Sequence, residues 1–454
     1  MEKEGLAEFN VEILESCLVQ PCLPDSPRST LYLSNLDNQP AARVAVNMLL
    51  VYEGCANVLP DPAKTIRYAL SKVLVYYYPL AGRLRKKEDG KFQVECTGEG
   101  VLFVETLVDK SLSILGDLEQ LRPSFKQLVF RFPFDTAMED VHPMVLQVNR
   151  FTCGGFVVGV TFYHILCDGR GVGKFLIDLG EMARGHVKLS IEPIWDRELL
   201  KPRNLLTQDL KLLEEKIEST SHSWEPPLYE ESIQMSLILH SETIKYMKQR
   251  MIQECMDNCT TFEIVAALIW RAMTKALEIP VTQSTKNIFA VDVRRSFSPP
   301  LPNGYYGNCF VMACAEATIN DVMNQPLSYI VNIIKKTKMS LNNKYLRSTI
   351  DMDQFPSSII SDQANIMLSD WRWLGYNEVD FGSGSSMNVF PMHWNENGIN
   401  VSNFFMFVHP PKEKVDGFKI IAWMPLQKFQ LFEMEVEATI NQCITNDFKN
   451  QCNS

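Results

Sequence analysis

The chain has no excess of positive charge. Its 454 residues carry 44 Lys and Arg against 54 Asp and Glu, a formal net charge of -10. A nucleic-acid binder normally presents a basic face, so that class is disfavoured. No stretch approaches the ~18 consecutive apolar residues that a transmembrane helix needs. The start, Met1-Glu2-Lys3-Glu4-Gly5, is charged and leads into no apolar signal core. The 12 cysteines show no paired spacing and read as reduced thiols, which makes the cytosol the expected compartment. A serine hydrolase would want a G-x-S-x-G elbow, and Gly382-Ser383-Gly384-Ser385-Ser386 does not supply one. A zinc enzyme would want H-E-x-x-H or clustered Cys and His, and neither is there. Gly171-Val172-Gly173-Lys174 lacks the Ser/Thr and the earlier glycine spacing of a phosphate loop.

What is there is an apolar fraction of 46% and a charged fraction of 22%, which fit a soluble globular protein. The length exceeds the size at which one core stops growing, so two domains are expected. Asp61 suits an N-cap and Pro62 the first helical position. Ile66, Leu70, Val73, Leu74 and Tyr77 continue at helical spacing until Pro79. Lys91 to Cys96 alternates after Asp89-Gly90 as a hairpin strand would. Val101 to Glu105 and Phe156 to Tyr163 read as strands. Val172, Phe175, Leu176, Leu179, Met182 and Ala183 mark one face of a helix ending near Gly185.

Residues 188–228 are punctuated by Pro193, Pro202, Pro226 and Pro227 and read as a crossover linker. The expected domains are therefore 1–187 and 229–454. In the second, Phe262 to Ala276 reads as a helix and Asn287 to Val293 as a strand. Two further strands flank Asp416-Gly417, and a final helix runs over about 425–440. Helices and strands do not alternate strictly, which predicts an α/β fold of α+β layers with mixed sheets.

His164 is the most informative residue. It ends a buried strand, has Asp168 four residues on, and is followed by Gly169, Gly171 and Gly173, which would let the backbone turn sharply into the next helix. That is the layout of a positioned general base. Asp168 could orient His164, cap the helix, or pair with an arginine to hold the turn. Cys167 is a weak candidate nucleophile, because sequence neighbours point apart. Asp380-Phe381-Gly382-Ser383-Gly384 is a second dense cluster and, by itself, reads as a turn between strands.

These residues together resemble the BAHD family of plant acyl-CoA-dependent acyltransferases. His164-x-x-x-Asp168-Gly169 matches the family's H-x-x-x-D-G motif, and Asp380 to Gly384 matches D-F-G-W-G with Ser383 in place of tryptophan. Tyr78 to Leu84 and Tyr305-Tyr306-Gly307-Asn308 match further blocks. Asp61 to Glu105, Arg150 to Gly159, Glu181 to Gly185, Glu192 to Trp195, Pro299 to Asn308 and Asp416 to Ile420 are similar to the taxane O-acyltransferases of paclitaxel-type diterpenoid biosynthesis.

The resemblance implies two chloramphenicol-acetyltransferase-like domains with a channel between them. His164 would be the general base, with acyl-CoA entering from one face and a terpenoid alcohol from the other. Acetyl-CoA is the expected donor and no metal is needed. The protein would be a monomer, with neither nucleic acid nor membrane as partner. Asp168 would pair with Arg294, which follows Asp292, or else with Arg295. The second motif would be structural. Arg271 or Lys275 would sit on a basic rim for the nucleotide phosphates. Phe162, Tyr163, Phe297, Tyr305, Tyr306 and Trp371 are candidate walls for the terpenoid. Around Ser383, neighbours such as Met387 or Trp394 are expected to fill the space of the missing tryptophan. That departure also leaves open a relative that binds CoA or terpenoid without turnover.

Overall fold

The run Phe156–Tyr163 forms a strand whose eight residues are all buried, so it must be covered on both faces. The computed structural model describes residues 8–23, 29–54, 61–116, 122–132, 136–203, 232–254, 258–352, 364–392, 403–410 and 416–451. The strands of the first half are β1 (Val11–Val19), β2 (Thr30–Leu31), β3 (Ala45–Tyr52), β4 (Arg83–Lys86), β5 (Phe92–Glu95), β6 (Val101–Val108), β7 (Met144–Phe151) and β8 (Phe156–Tyr163). Those of the second are β9 (Ser232–His240), β10 (Ser284–Asp292), β11 (Phe310–Thr318), β12 (Ile366–Asp370), β13 (Asn388–Pro391), β14 (Phe404–Val408) and β15 (Gly417–Pro425).

They form two six-stranded mixed sheets, ordered β1-β6-β7-β8-β3-β13 and β11-β10-β12-β14-β15-β9, and a small sheet β2-β5-β4. Parallel pairing occurs at β6–β7 in the first large sheet and at β10–β12 and β12–β14 in the second. This is a two-domain α/β fold. Chain order does not separate the sheets cleanly. β13, from the second half, pairs antiparallel with β3 in the first sheet. One apolar core also joins Leu50, Phe162 and Leu176 to Phe404, Ile421 and Trp423 of the second sheet.

Helix α1 (Pro62–Tyr76) starts as its sequence dictates. The Asp61 carboxylate accepts from the Ala63 and Lys64 amides, and Ala63, Ile66, Ala69, Leu70, Val73 and Leu74 form the buried stripe. Helix Thr261–Ala276 carries a capping box made by Thr260 and Glu263.

Helix α2 (Gly169–Ala183) departs from expectation. The expected glycine turn is already helix, and Asp168 caps it through the Gly171 amide at 2.9 Å. The glycines serve close packing. A Cβ on Gly171 would lie 2.0 Å from the Tyr306 carbonyl oxygen, and one on Gly173 1.8 Å from that of Leu374. The last helix is longer than expected, Leu426–Gln451. Of the expected linker, residues 204–228 lie outside the described residues. Its start is built into the fold instead: Ile194 bridges Tyr305, and Arg197 is fully buried. Among the described residues no helix is long and apolar enough to cross a membrane.

Candidate functional site

β8 delivers His164 to the seam between the two large sheets. The His164 amide donates to the Val44 carbonyl at 2.9 Å, and its carbonyl accepts from Asn308 Nδ2 at 2.9 Å. A cavity of about 260 Å³ opens there. Val46 and Phe162 line it from the first sheet, and Ala290, Met312, Leu368 and Phe404 from the second. His164 forms part of its wall, with the Phe310 ring edge-on at 5.7 Å. Burial holds the imidazole below its ordinary pKa, and Asp168, Asn308 and Asp37 offset that only in part. A neutral imidazole in a mostly apolar cavity is the form that can accept a proton.

Asp168 is committed elsewhere. Its two oxygens accept from Arg294 Nη2 at 2.8 and 2.9 Å, and Oδ2 also accepts from the Cys309 amide at 3.0 Å. Burial alone would raise its carboxyl pKa, but Arg294 and the two amides hold it below the ordinary value. Arg294 is itself fixed by the Tyr305 and Gly307 carbonyls and by Asp292. Asp168 therefore locks the start of α2 to the turn after β10. Burial, with Asp168 beside it, pushes the Cys167 thiol far up, so no thiolate forms near neutral pH.

The expected substrate walls divide. Phe162 and Trp371 line the cavity. Tyr163, Phe297, Tyr305 and Tyr306 do not; they are core residues. Tyr163 stacks on Phe132, Phe297 lies under the Arg347 guanidinium, and Tyr306 packs on Trp195 and Tyr77. Tyr305 lies beside Arg197 and Arg294. Aromatic residues near a motif are as easily drawn into its supporting core as into a cavity.

The expected rim cations also lie elsewhere. Arg271 is buried, donating to the Val322 carbonyl at 2.9 Å and to that of Gln325, and Lys275 pairs with Glu435 at 2.7 Å. Their helix is buried nearly all round, so a cation on it is spent on neighbouring backbone and helix rather than offered to a ligand.

The second motif forms a clasp away from the cavity. Asp380 Oδ1 accepts from the Gly382 and Gly384 amides at 2.7 and 2.9 Å, and both glycines have positive φ, 105° and 91°. Phe381 is buried beside Tyr52, and Arg184, just past α2, donates to the Asp380 carbonyl. The 15-residue α2 thus spans the two motifs, holding them roughly 22 Å apart at helical rise. Ser383 is half-buried between two exposed glycines whose added Cβ atoms would meet nothing within 4 Å. The flanking glycines border open surface, whereas the Ser383 Oγ is buried. Met387 is half-buried, and Trp394 lies outside the described residues.

Three residues beneath His164 were not candidates from the sequence. Asp37 pairs with Arg197 at 3.1 Å, both side chains fully buried, and accepts from Asn308 Nδ2 at 2.9 Å. Ser34-Asn35-Leu36-Asp37-Asn38 has four polar residues, yet all five are buried. Gly307 packs against this pair: a Cβ there would lie 2.3 Å from the Arg197 guanidinium carbon.

Comparison with known proteins adds the family. Residues 9–439 match the model of the Transferase family. The chain is 46% identical over 447 residues to 3'-N-debenzoyl-2'-deoxytaxol N-benzoyltransferase of Taxus canadensis, covering 98% of this chain and 100% of that one. It is 42% identical over 451 residues to taxadien-5-alpha-ol O-acetyltransferase of Taxus cuspidata, covering 98% and 99%. Among solved structures, vinorine synthase superposes with a TM-score of 0.72 at 19% identity, covering 95% of this chain and 98% of that one.

Proposed function

The chain belongs to the Transferase family, the BAHD acyl-CoA-dependent acyltransferases, and from that membership we propose that it transfers an acyl group from acyl-CoA to a hydroxyl of a taxane diterpenoid. Acetyl-CoA is the proposed donor, a choice supported by the relative named an O-acetyltransferase. Benzoyl transfer is the second reading. It is favoured by the relative named a benzoyltransferase and by a cavity wall that includes Phe162, Phe310 and Trp371, which suits an aromatic acyl group. In this reading the protein acts as a cytosolic monomer in paclitaxel-type biosynthesis.

The chemistry follows from the residues present. An aliphatic hydroxyl is a poor nucleophile until its proton has a destination. His164 accepts that proton as the oxygen attacks the thioester carbonyl. The tetrahedral oxyanion collapses, the carbon–sulfur bond breaks, and His164 returns the proton to the departing CoA sulfur. Base, alcohol and thioester must meet at one point, so a ternary complex forms and no acyl-enzyme is needed. Asp168 takes no part in proton transfer; it fixes the turn that carries His164.

The observation that carries this reading is His164 in a cavity between the sheets, kept neutral by burial, with Asp168 withdrawn to Arg294. The test is incubation with radiolabelled acetyl-, benzoyl- and phenylpropanoyl-CoA and a panel of taxane alcohols and amines. Label transferred to an alcohol supports the reading, and the donor used selects between its two forms. Transfer to amines alone would overturn O-acylation. Tight CoA binding with no transfer to any acceptor would favour a binding protein instead.

A further inference from the structure

Two buried polar atoms, Nδ1 of His164 in the cavity wall and Oδ1 of Asn308 behind it, have no hydrogen-bond partner among the described residues. The rest of the Asn308 amide is committed. Nδ2 donates to Asp37 Oδ1 at 2.9 Å and to the His164 carbonyl at 2.9 Å. The Asn308 backbone amide donates to the same Asp37 oxygen at 3.0 Å. Both side-chain partners are pure acceptors, so turning the amide round would set oxygen against oxygen. Its orientation is fixed by chemistry, not by choice of fit.

Asp37 cannot drift to release it. Asp37 Oδ2 accepts from the Ser34 amide and hydroxyl at 2.9 and 2.7 Å, and Arg197 pairs with it from a fully buried position. Asn308 Oδ1 is thus held on the His164 side with no partner among the described residues. An amide oxygen can only accept, and the donor an imidazole can bring to it without turning its other nitrogen from the cavity is Nδ1–H.

We propose that Asn308 is a positioning residue for His164: its Oδ1 accepts from Nδ1–H, holding the tautomer whose Nε2 lone pair is free to act as base. This rests on His164 being the base. The usual orienter of such a histidine is a carboxylate. Here the carboxylate nearest in sequence, Asp168, is taken by Arg294, and an amide stands in that place. The contact also strengthens in the reaction. Once Nε2 has accepted a proton the ring is a cation, and a hydrogen bond from a cation is stronger than one from a neutral group. Asn308 is accordingly among the groups that favour the charged imidazole against burial, together with the ring's own backbone carbonyl. That carbonyl already accepts from Asn308 Nδ2, so the one amide governs both acceptors.

Two measurements test this. In the wild-type protein labelled with 15N-histidine, long-range proton–nitrogen spectra report each ring's tautomer, and the His164 signal is the one missing from His164→Gln. The proposal expects Nδ1–H; a dominant Nε2–H form overturns it, with no variant of Asn308 required. In Asn308→Ala, kcat should fall about 10-fold or more while KM stays unchanged, since a wrongly held tautomer is inactive. The acid limb of kcat/KM should move to lower pH, because a group favouring the imidazolium is gone. Unaltered kcat with an unaltered acid limb overturns the proposal. The underlying reading fails differently: full turnover by His164→Ala would refute His164 as base whatever tautomer the spectra show.

Discussion

The chemistry assigned to this chain rests on the division of labour between two residues four apart. His164 faces the cavity, while Asp168 is turned into a buried pair with Arg294. The sequence left three roles open for Asp168, and the structure combines two of them: it caps α2 and it pairs with an arginine. Removing one side of a buried pair strands the other charge. Asp168→Asn should lower the unfolding free energy by about 3 kcal/mol, the low end for one-sided loss because Asp292 still faces the guanidinium. Activity should fall with it. Chemical denaturation checks this, and a variant as stable as wild type would remove Asp168 from its structural role. Asp37, Arg197 and Asn308 were illegible for a physical reason. Nothing in Ser34 to Asn38, four of whose five residues are polar, tells whether they meet water or a buried guanidinium 160 residues away from Asp37.

At the scale of elements, α2 is the strut on which both motifs hang. Its glycines illustrate how far a sequence pattern reaches. Gly169, Gly171 and Gly173 rightly mark a special place after His164, but their spacing cannot distinguish a sharp turn from a helix that neighbours approach closely. The distances rank their tolerance. An added methyl at Gly173 meets the Leu374 carbonyl at 1.8 Å, whereas at Gly169 the nearest atom is a Leu374 methyl at 2.7 Å, which can rotate away. Gly173→Ala should therefore cost more stability than Gly169→Ala, by ~1–3 kcal/mol of overpacking. Equal thermal midpoints for the two variants would contradict this. The loop at the other end of α2 is anchored by Asp380 and two glycines, with the Ser383 Oγ buried between them. Ser383→Trp should leave turnover near wild type and be neutral to destabilising through overpacking, read from thermal midpoints. A large gain in turnover would mean that serine at this position weakens the enzyme. The strongly patterned elements, α1 and β8, were legible almost to the residue. The helices at Ser241–Gln253 and Asn343–Asp351 were not, because their apolar positions are few and interrupted by charge.

At the scale of the molecule, two mixed sheets share a core, and the second half lends β13 to the first sheet. That exchange was invisible in the sequence, since a four-residue strand says nothing about which sheet it joins. The two sheets enclose a site whose titrating groups act on stability in one direction. His164 and Asp168 both have folded pKa values below their ordinary ones. Each binds its proton less readily folded than unfolded, so the stability each contributes is present above the unfolded value and is lost as pH falls. For His164 the loss begins near the ordinary imidazole value of ~6.5 and continues down to its lower folded value; for Asp168 it comes in the carboxylate range below. Thermal midpoints should fall as pH drops through the first window, and His164→Gln should flatten that slope; an unchanged slope would contradict the burial of a neutral imidazole. The central claim is tested most directly by turnover of His164→Ala beside wild type, with the acyl-CoA and taxane alcohol that the wild-type protein is found to use. The account predicts a folded variant whose rate is lower by ~10²–10⁴-fold; retention of more than about a tenth of the wild-type rate would contradict it.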